Sequence, residues 1–280
     1  MRQHLASLVA VFLALLIGVL AGVGLIRQPG LESRIEELKL QVQNRDEREQ
    51  LRGRVAAEFA DRALPALMRG KLVGRKAALF VTATDRGNTT QDSVRYALDL
   101  AGATVVTRAT FDVDFVRHCD ERREELVSAL GVKANPGEAV AEAIAREVAQ
   151  AITQGDTAAF QSLRRRGIVR IDEEHVGKPT LAIVVGGAKM PDTTHLEGLD
   201  LPLIRYLKSS ESIDCVVGCE TSDVLESVMR AYQKEDISTV DNVDTAPGQF
   251  SLVLALAGVE GHYGMKPGAR RYFPEMPEEP

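Results

Sequence analysis

Ala77-Ala78-Leu79-Phe80-Val81 is a run of five apolar residues entered at Lys76 and left at Thr82. A run this short and this uniformly apolar suits a strand buried on both faces of a parallel sheet. Asp85, Gly87 and Asn88 follow as turn residues, then a helical stretch with Val94, Leu98 and Leu100 on its inner side. The same unit recurs downstream. Ala103–Thr107, Leu181–Val185, Cys215–Val217 and Ser238–Val240 read as strands. Phe111–Leu130, Glu138–Ile152, Thr157–Arg166, Leu201–Leu207 and Ser222–Tyr232 read as helices, the last with Ser222 as its N-cap. Pro247–Ala257 is apolar throughout and reads either as a closing helix with Pro in its first turn or as a strand. Strands alternating with helices predict an α/β domain over residues 72–266, a Rossmann-like parallel sheet with helices on both faces. The Pro-rich tail, residues 267–280, is expected to be disordered.

The sequence around that domain is different. Leu5 to Ile26 carries no charged residue, and at ~1.5 Å per residue such a helix crosses the ~30 Å bilayer core. The run is longer than the apolar part of a cleaved signal peptide, so residues 5–26 predict one transmembrane helix behind a short stub, residues 1–4. Arg2 precedes the span, and Arg27, Arg34 and Lys39 follow it, so charge leaves the orientation open.

Residues 31–64 read as a membrane-proximal helix rich in Glu, Arg, Gln and Leu. Leu31, Ile35, Leu38 and Val42 alternate spacings of four and three, an a/d seam about two heptads long. Arg45, Glu49 and Arg52 then break the register, and Leu51, Val55 and Phe59 restart an apolar stripe on a shifted face. The seam predicts a homodimer through Leu31–Val42, with the anchor holding two chains at high local concentration. The alternative is a solvated helix lying on its own domain.

Composition narrows the functions. The chain has 280 residues, 45% of them hydrophobic, and a formal net charge of −6. That acidity argues against coating nucleic acid, which needs excess Lys and Arg. Three Cys without a CxxC pair make neither a disulfide framework nor a zinc ribbon. No GxGxxG follows the first strand, and no P-loop or GxSxG occurs, so no catalytic constellation is legible and no enzyme is expected. The strand ends carry Asp85, Gly186-Gly187, Glu220 and Asp241, and ligands on such sheets bind at those ends. Gly186-Gly187 suits either a tight turn or an anion approaching backbone N–H groups. Asp241 and Asp244 suit either turn capping or an acid–base or cation pair.

Soft metal donors are few: Cys119 beside His118, Cys215, Cys219, Met190, His195, His262 and Met265. Cys215 and Cys219 lie ~13 Å apart on an extended strand and approach only if the chain turns at Gly218. Gly258 and Gly261 allow the chain to reverse, which is expected to lay Gly261–Met265 beside Asp241 and Asp244. His262 would then face a carboxylate that favours its charged form. Neutral His262 with Met265 is instead the candidate Cu(I) pair, and a Tyr263-anchored structural turn is the plainer alternative.

Several of these segments carry a resemblance. Arg2-Gln3-His4-Leu5-Ala6-Ser7-Leu8-Val9-Ala10-Val11-Phe12-Leu13-Ala14-Leu15, running into Gly18 and Gly22, is similar to the start of the mycobacterial copper-transport protein B (MctB) family. Leu72-Val73-Gly74-Arg75-Lys76 is similar too, as are Ile237-Ser238-Thr239-Val240-Asp241-Asn242-Val243-Asp244, Pro247-Gly248 and Gly261-His262-Tyr263-Gly264. The ends match well and the middle loosely. The resemblance implies a single-pass envelope protein whose C-terminal domain lies outside the cytoplasm, acting in copper transport, efflux or tolerance. Some members are linked instead to envelope integrity and cell separation, with a membrane partner resembling a thiamine pyrophosphokinase. That is the alternative function: a structural or regulatory protein that binds partners and transports nothing. No cofactor is implied beyond copper as bound or carried ion, and no agreed ligand set transfers to this chain.

Overall fold

The computed structural model describes residues 11–19, 29–82, 89–112, 114–130, 139–156, 169–173, 177–187 and 195–275. The chain divides into two units, Met1–Glu58 and Phe59–Pro280.

In the first unit residues 11–19 are helical, with exposed apolar side chains. The remainder of the expected span, residues 5–26, lies outside the described residues. Among the described residues no helix is long and apolar enough to cross a membrane. Helix α1, Pro29–Met68, is longer than the 31–64 expected and enters the second unit. Its first residue is Pro29, where a missing N–H costs nothing. Pro65 lies inside it, so the helix forgoes the N–H that the Asp61 carbonyl would accept. Leu38, Leu40 and Val42 are exposed, as are Leu51, Val55 and Phe59. The side chains of Leu31 and Ile35, the other half of the expected seam, lie outside the described residues.

In the second unit the elements after α1 run β1 (Lys76–Val81), α2 (Thr89–Ala101), β2 (Thr104–Phe111), α3 (Phe115–Glu121), α4 (Arg123–Leu130), α5 (Val140–Gln154), β3 (Val169–Glu173) and β4 (Leu181–Val185). A π-helical turn, Leu196–Asp200, leads into α6 (Leu201–Ser209). Then come β5 (Cys215–Cys219), α7 (Met229–Lys234), β6 (Ser238–Val240), α8 (Ala246–Leu256) and β7 (His262–Tyr263). The described strands form one sheet in the order β3-β2-β1-β4-β5-β6-β7. Neighbours are parallel except β3, which runs antiparallel to β2 at the edge. The α/β expectation therefore holds as a mostly parallel sheet.

Two apolar layers cover it. Phe80, Phe111, Ile144, Leu203 and Tyr232 belong to the layer under α3 to α7. Leu79, Leu98, Ile183, Val253 and Leu254 belong to the layer under α2, α8 and the end of α1. Helix α8 settles the ambiguity of Pro247–Ala257 in favour of helix. Thr245 caps it by accepting the Gly248 N–H at 3.2 Å, and its residues are buried nearly all round.

Three expectations change. β2 runs on to Phe111 because Arg108, which reads as a strand end, pairs with Asp172 of β3 at 2.9 Å. Ser222–Tyr232 is not one helix; residues 220–228 are turns and α7 begins only at Met229. Ser222 gives its N–H and hydroxyl to Asp244 and so caps nothing. Residues 267–275, assigned to a disordered tail, pack beside β7, where Arg270 N–H donates to the His262 carbonyl at 2.8 Å and Gly264 N–H to Arg271 at 3.0 Å.

Candidate functional site

The sheet brings its carboxyl ends into one row. Backbone N–H groups pass from strand to strand there: Thr82 to the Val185 carbonyl, Gly186 to Cys219, Glu220 to Val240 and Asp241 to Tyr263, at 2.9 to 3.1 Å. β1 and β4 are neighbours, yet their next strands lie on opposite sides of them. This is the switch point where a crevice opens in such sheets. Asp85, placed at this edge by the sequence, lies outside the described residues. The others form two polar clusters.

The first cluster is Thr82, His195, Asp200 and Tyr232, all buried. The Tyr232 hydroxyl donates to Asp200 Oδ2. His195 Nε2–H donates to the Thr82 carbonyl and lies 3.8 Å from Asp200 Oδ1. Burial raises the Asp200 carboxyl, opposed by His195 and by the Tyr232 hydrogen bond. Burial and the neighbouring Asp200 push Tyr232 well above its ordinary value. Residues 195, 200 and 232 converge only through the fold, and the sequence pattern does not announce them.

The second cluster lies over β5 and β6. Lys266 Nζ bridges Glu220 Oε1 and the Thr221 carbonyl, each at 2.8 Å. Glu220 Oε2 accepts the Val228 N–H at 3.2 Å. Burial raises the Glu220 carboxyl against the pull of Lys266. Asp241 accepts the backbone N–H groups of Met265 at 2.7 Å and Lys266 at 3.0 Å. The reversal of Gly261–Met265 onto Asp241 is therefore as expected. Its chemistry is not: backbone amides, not His262, face the carboxylate. Glu220, Asp241 and Asp244 are each engaged by hydrogen bonds within the fold, which matches turn capping. Gly186-Gly187 is engaged likewise. A Cβ on Gly186 would collide with the Tyr232 hydroxyl, and one on Gly187 (φ 85°) with Glu220 and Val224. Protein groups occupy the place where an anion was conceivable.

His262 lies instead at the other end of the strands. Its Nδ1 is 3.2 Å from the Thr239 hydroxyl. Burial and the charge of Arg270 lower its pKa, with Asp236 opposing. The expected carboxylates, Asp241 and Asp244, do not face His262, and its surroundings disfavour the charged form rather than favour it. Met265 is exposed. A cavity of about 490 Å³ opens beside His262, lined also by Lys208, Asp214, Cys215, Glu260 and Arg270.

Cys215 lines the same cavity as His262, whereas Cys119 and Cys219 do not. Strand alternation places Cys215 with Val217 and Cys219 against the α8 layer, whereas His262 pairs with Thr239 on the opposite face. β5 is unbroken through Gly218, so Cys215 and Cys219 stay apart as on any extended strand. Burial pushes the Cys215 thiol up to about 11 and Cys119 to about 12, and raises Cys219 as well. Cys119 and Cys219 are buried and Cys215 partly so, and the raised values disfavour the thiolate that ligates metal. Among the described residues no three His, Cys, Asp or Glu side chains gather as a metal site.

Known proteins supply what this geometry does not. The protein named copper transporter MctB from Mycobacterium tuberculosis (strain ATCC 25618 / H37Rv) is 25% identical over 307 residues, covering 96% of this chain and 97% of its own. Its namesake from Mycobacterium leprae (strain TN) is 26% identical over 325 residues with the same coverage. Among solved structures, ligand-free aspartate transcarbamoylase from Trypanosoma cruzi aligns with a TM-score of only 0.15 at 15% identity, over 72% of this chain and 86% of its own. The family model described as "Copper transport outer membrane protein, MctB" matches residues 1–274, and on that nearly end-to-end match the chain belongs to the MctB family.

Proposed function

We propose that this chain is a membrane-anchored envelope protein that handles copper ions, in transport, efflux or tolerance. The family match over residues 1–274 carries the reading. Leu5–Ile26 serves as the single anchor, and the α/β domain lies on the extracytoplasmic side. The sheet is covered on both faces by apolar helical layers, so it offers no face to lipid. One anchor helix encloses no ion path, since a pore needs several polar-lined segments. The chain therefore binds copper or hands it on; it does not conduct it alone. We assign it no catalytic role: Glu220, Asp241 and Asp244 are engaged in holding the fold together. Copper is its cargo, and it needs no other cofactor.

A second reading is favoured by one observation, the exposed apolar side chains Leu38, Val42, Leu51, Val55 and Phe59 on α1. Such a helix suits a homodimer through Leu31–Val42 or an envelope partner, and a role in cell separation without transport. Deleting the gene separates the two. Copper sensitivity restored by the wild-type chain supports copper handling. Normal copper tolerance with failed cell separation supports the structural role. A reporter that works only in the cytoplasm, fused after Pro280, should be silent; activity would reverse the orientation.

A further inference from the structure

The cavity beside His262 opens at the amino ends of β5, β6 and β7, where residues 213–216, 236–238 and 260–262 enter their strands. Its volume of about 490 Å³ is that of a small-molecule site, and Ile213, Val216 and Ile237 give it a buried apolar lining. Its charged groups divide into two kinds. Lys208 Nζ is spent on Asp236 Oδ2 at 3.0 Å and on the carbonyls of Glu235 and Asp236. Asp214 is spent on Arg75 at 2.8 Å. Arg270 and Glu260 are exposed, and among the described residues neither side chain has an ion pair or a hydrogen bond. Both charges still act on the cavity wall. Beside burial, Arg270 disfavours the charged form of His262, and Glu260 helps to raise the Cys215 thiol.

The ring of His262 presents a defined donor. Gln233 Nε2–H donates to the Thr239 hydroxyl oxygen at 3.3 Å and to the Gly268 carbonyl at 3.0 Å. Among the described residues the hydroxyl proton of Thr239 then has one acceptor within reach, Nδ1 of His262 at 3.2 Å. Nδ1 accepts, so the neutral ring carries its proton on Nε2. Arg270 is held beside this ring, since its backbone N–H donates to the His262 carbonyl at 2.8 Å. The imidazole N–H and the guanidinium together suit a carboxylate. Two residues before His262, the Glu260 carboxylate only accepts, which suits an ammonium group. An anion alone would meet Glu260, and a cation alone would meet Arg270. A ligand carrying both charges satisfies the two.

We propose that this cavity binds a small zwitterion of the amino-acid or short-peptide class, its carboxylate on Arg270 and His262 and its ammonium group on Glu260. Apolar side groups of the ligand rest on Ile213, Val216 and Ile237. The site is separate from copper handling and does not depend on it.

The test is calorimetric titration of the full chain in detergent with L-alanyl-L-leucine, its N-acetyl form and its C-terminal amide. The free dipeptide should bind at least ~10-fold more tightly than either blocked form, the scale of one lost hydrogen bond to a charged group. Arg270→Gln should bind the dipeptide and its amide alike, and Glu260→Gln the dipeptide and its N-acetyl form alike. Lys234→Gln, exposed outside the cavity, should keep the wild-type preference. A carboxylate beside His262 favours its charged form, so saturating dipeptide should raise the His262 pKa followed by NMR of 15N-labelled histidine. That measurement uses the wild-type chain and avoids any folding defect. Equal binding of free and blocked forms, a preference that survives both substitutions, or a His262 pKa that does not rise overturns the site. So does a wild-type chain that shows no saturable binding of the dipeptide.

Discussion

Lys266 Nζ stands 2.8 Å from Oε1 of Glu220, whose side chain has no solvent exposure, while Lys266 itself is only 13% exposed. The pair ties the segment after β7 to the end of β5, 46 residues earlier in the chain. Removing one partner leaves an uncompensated buried charge. Lys266→Met should therefore destabilise the domain by about 3–5 kcal/mol. Adding Glu220→Met should recover much of the loss, because no buried charge then remains. Urea unfolding of the single and double variants checks this; an equal or larger loss in the double variant would contradict it.

The same carboxylate makes stability depend on pH. Burial raises the folded-state pKa of Glu220 above its ordinary 4.5, and Asp200 above its ordinary 3.8. A raised pKa means the folded state binds the proton more tightly. The contribution is complete below the ordinary values and is lost as pH rises through the raised ones. Glu220→Gln cannot ionise, so its stability relative to wild type should rise with pH across the mildly acidic range. Thermal midpoints taken across that range test the sign, and a difference that falls with pH would refute it.

Asp241 holds the backbone reversal at Met265 and Lys266. Hydrogen bonds to a charged acceptor contribute about 1.5–3 kcal/mol each, so Asp241→Ala should cost about 3 kcal/mol once the loop has partly relaxed. The loss should be local. Amide hydrogen exchange at Met265 and Lys266 should speed up while exchange in β1 and β4 stays slow. Unchanged protection at those two amides would mean the carboxylate does not hold the segment. Gly264, at φ 141°, lies against the same carboxylate, where any Cβ would collide with it.

The sequence was most legible where one physical cause acts alone. Lys76–Val81, Leu181–Val185 and Cys215–Cys219 are continuous apolar runs because both sheet faces are buried, and each is a strand. β3 was missed because Val169 and Ile171 alternate with Arg170 and Asp172 at a sheet edge, directly after a basic stretch. Ser222 has the composition of an N-cap, but Asp244, 22 residues away, takes its hydroxyl and its N–H. The fold-back of Gly261–Met265 was legible from its glycines. Its contact with Asp241 through amides was not, since backbone donors have no sequence signature. The His195–Asp200–Tyr232 cluster spans elements from the π-helical turn to α7, and only topology unites it.

Helix α1 carries two apolar stripes. Val42 and Leu51 are nine residues apart, so at 100° per residue they point to opposite sides of the helix. A dimer seam through Leu38 and Val42 therefore leaves Leu51 and Val55 outside it, whereas Phe59, three heptads after Leu38, returns to its register. Each Leu or Val buried contributes about 1.5–3 kcal/mol, which is enough to matter between tethered chains. Leu38→Asp/Val42→Asp should weaken crosslinking between chains in membranes, whereas Leu51→Asp/Val55→Asp should not. Crosslinking that survives the first pair would place the contact elsewhere.

Copper handling is tested most directly by the copper each cell holds. A strain lacking this gene, grown at fixed external copper, should accumulate several-fold more cell-associated copper than its parent, and the full-length chain should restore the parental level. Equal copper in deleted and parental cells, measured by mass spectrometry in a strain that shows a cell-separation defect, would contradict the account.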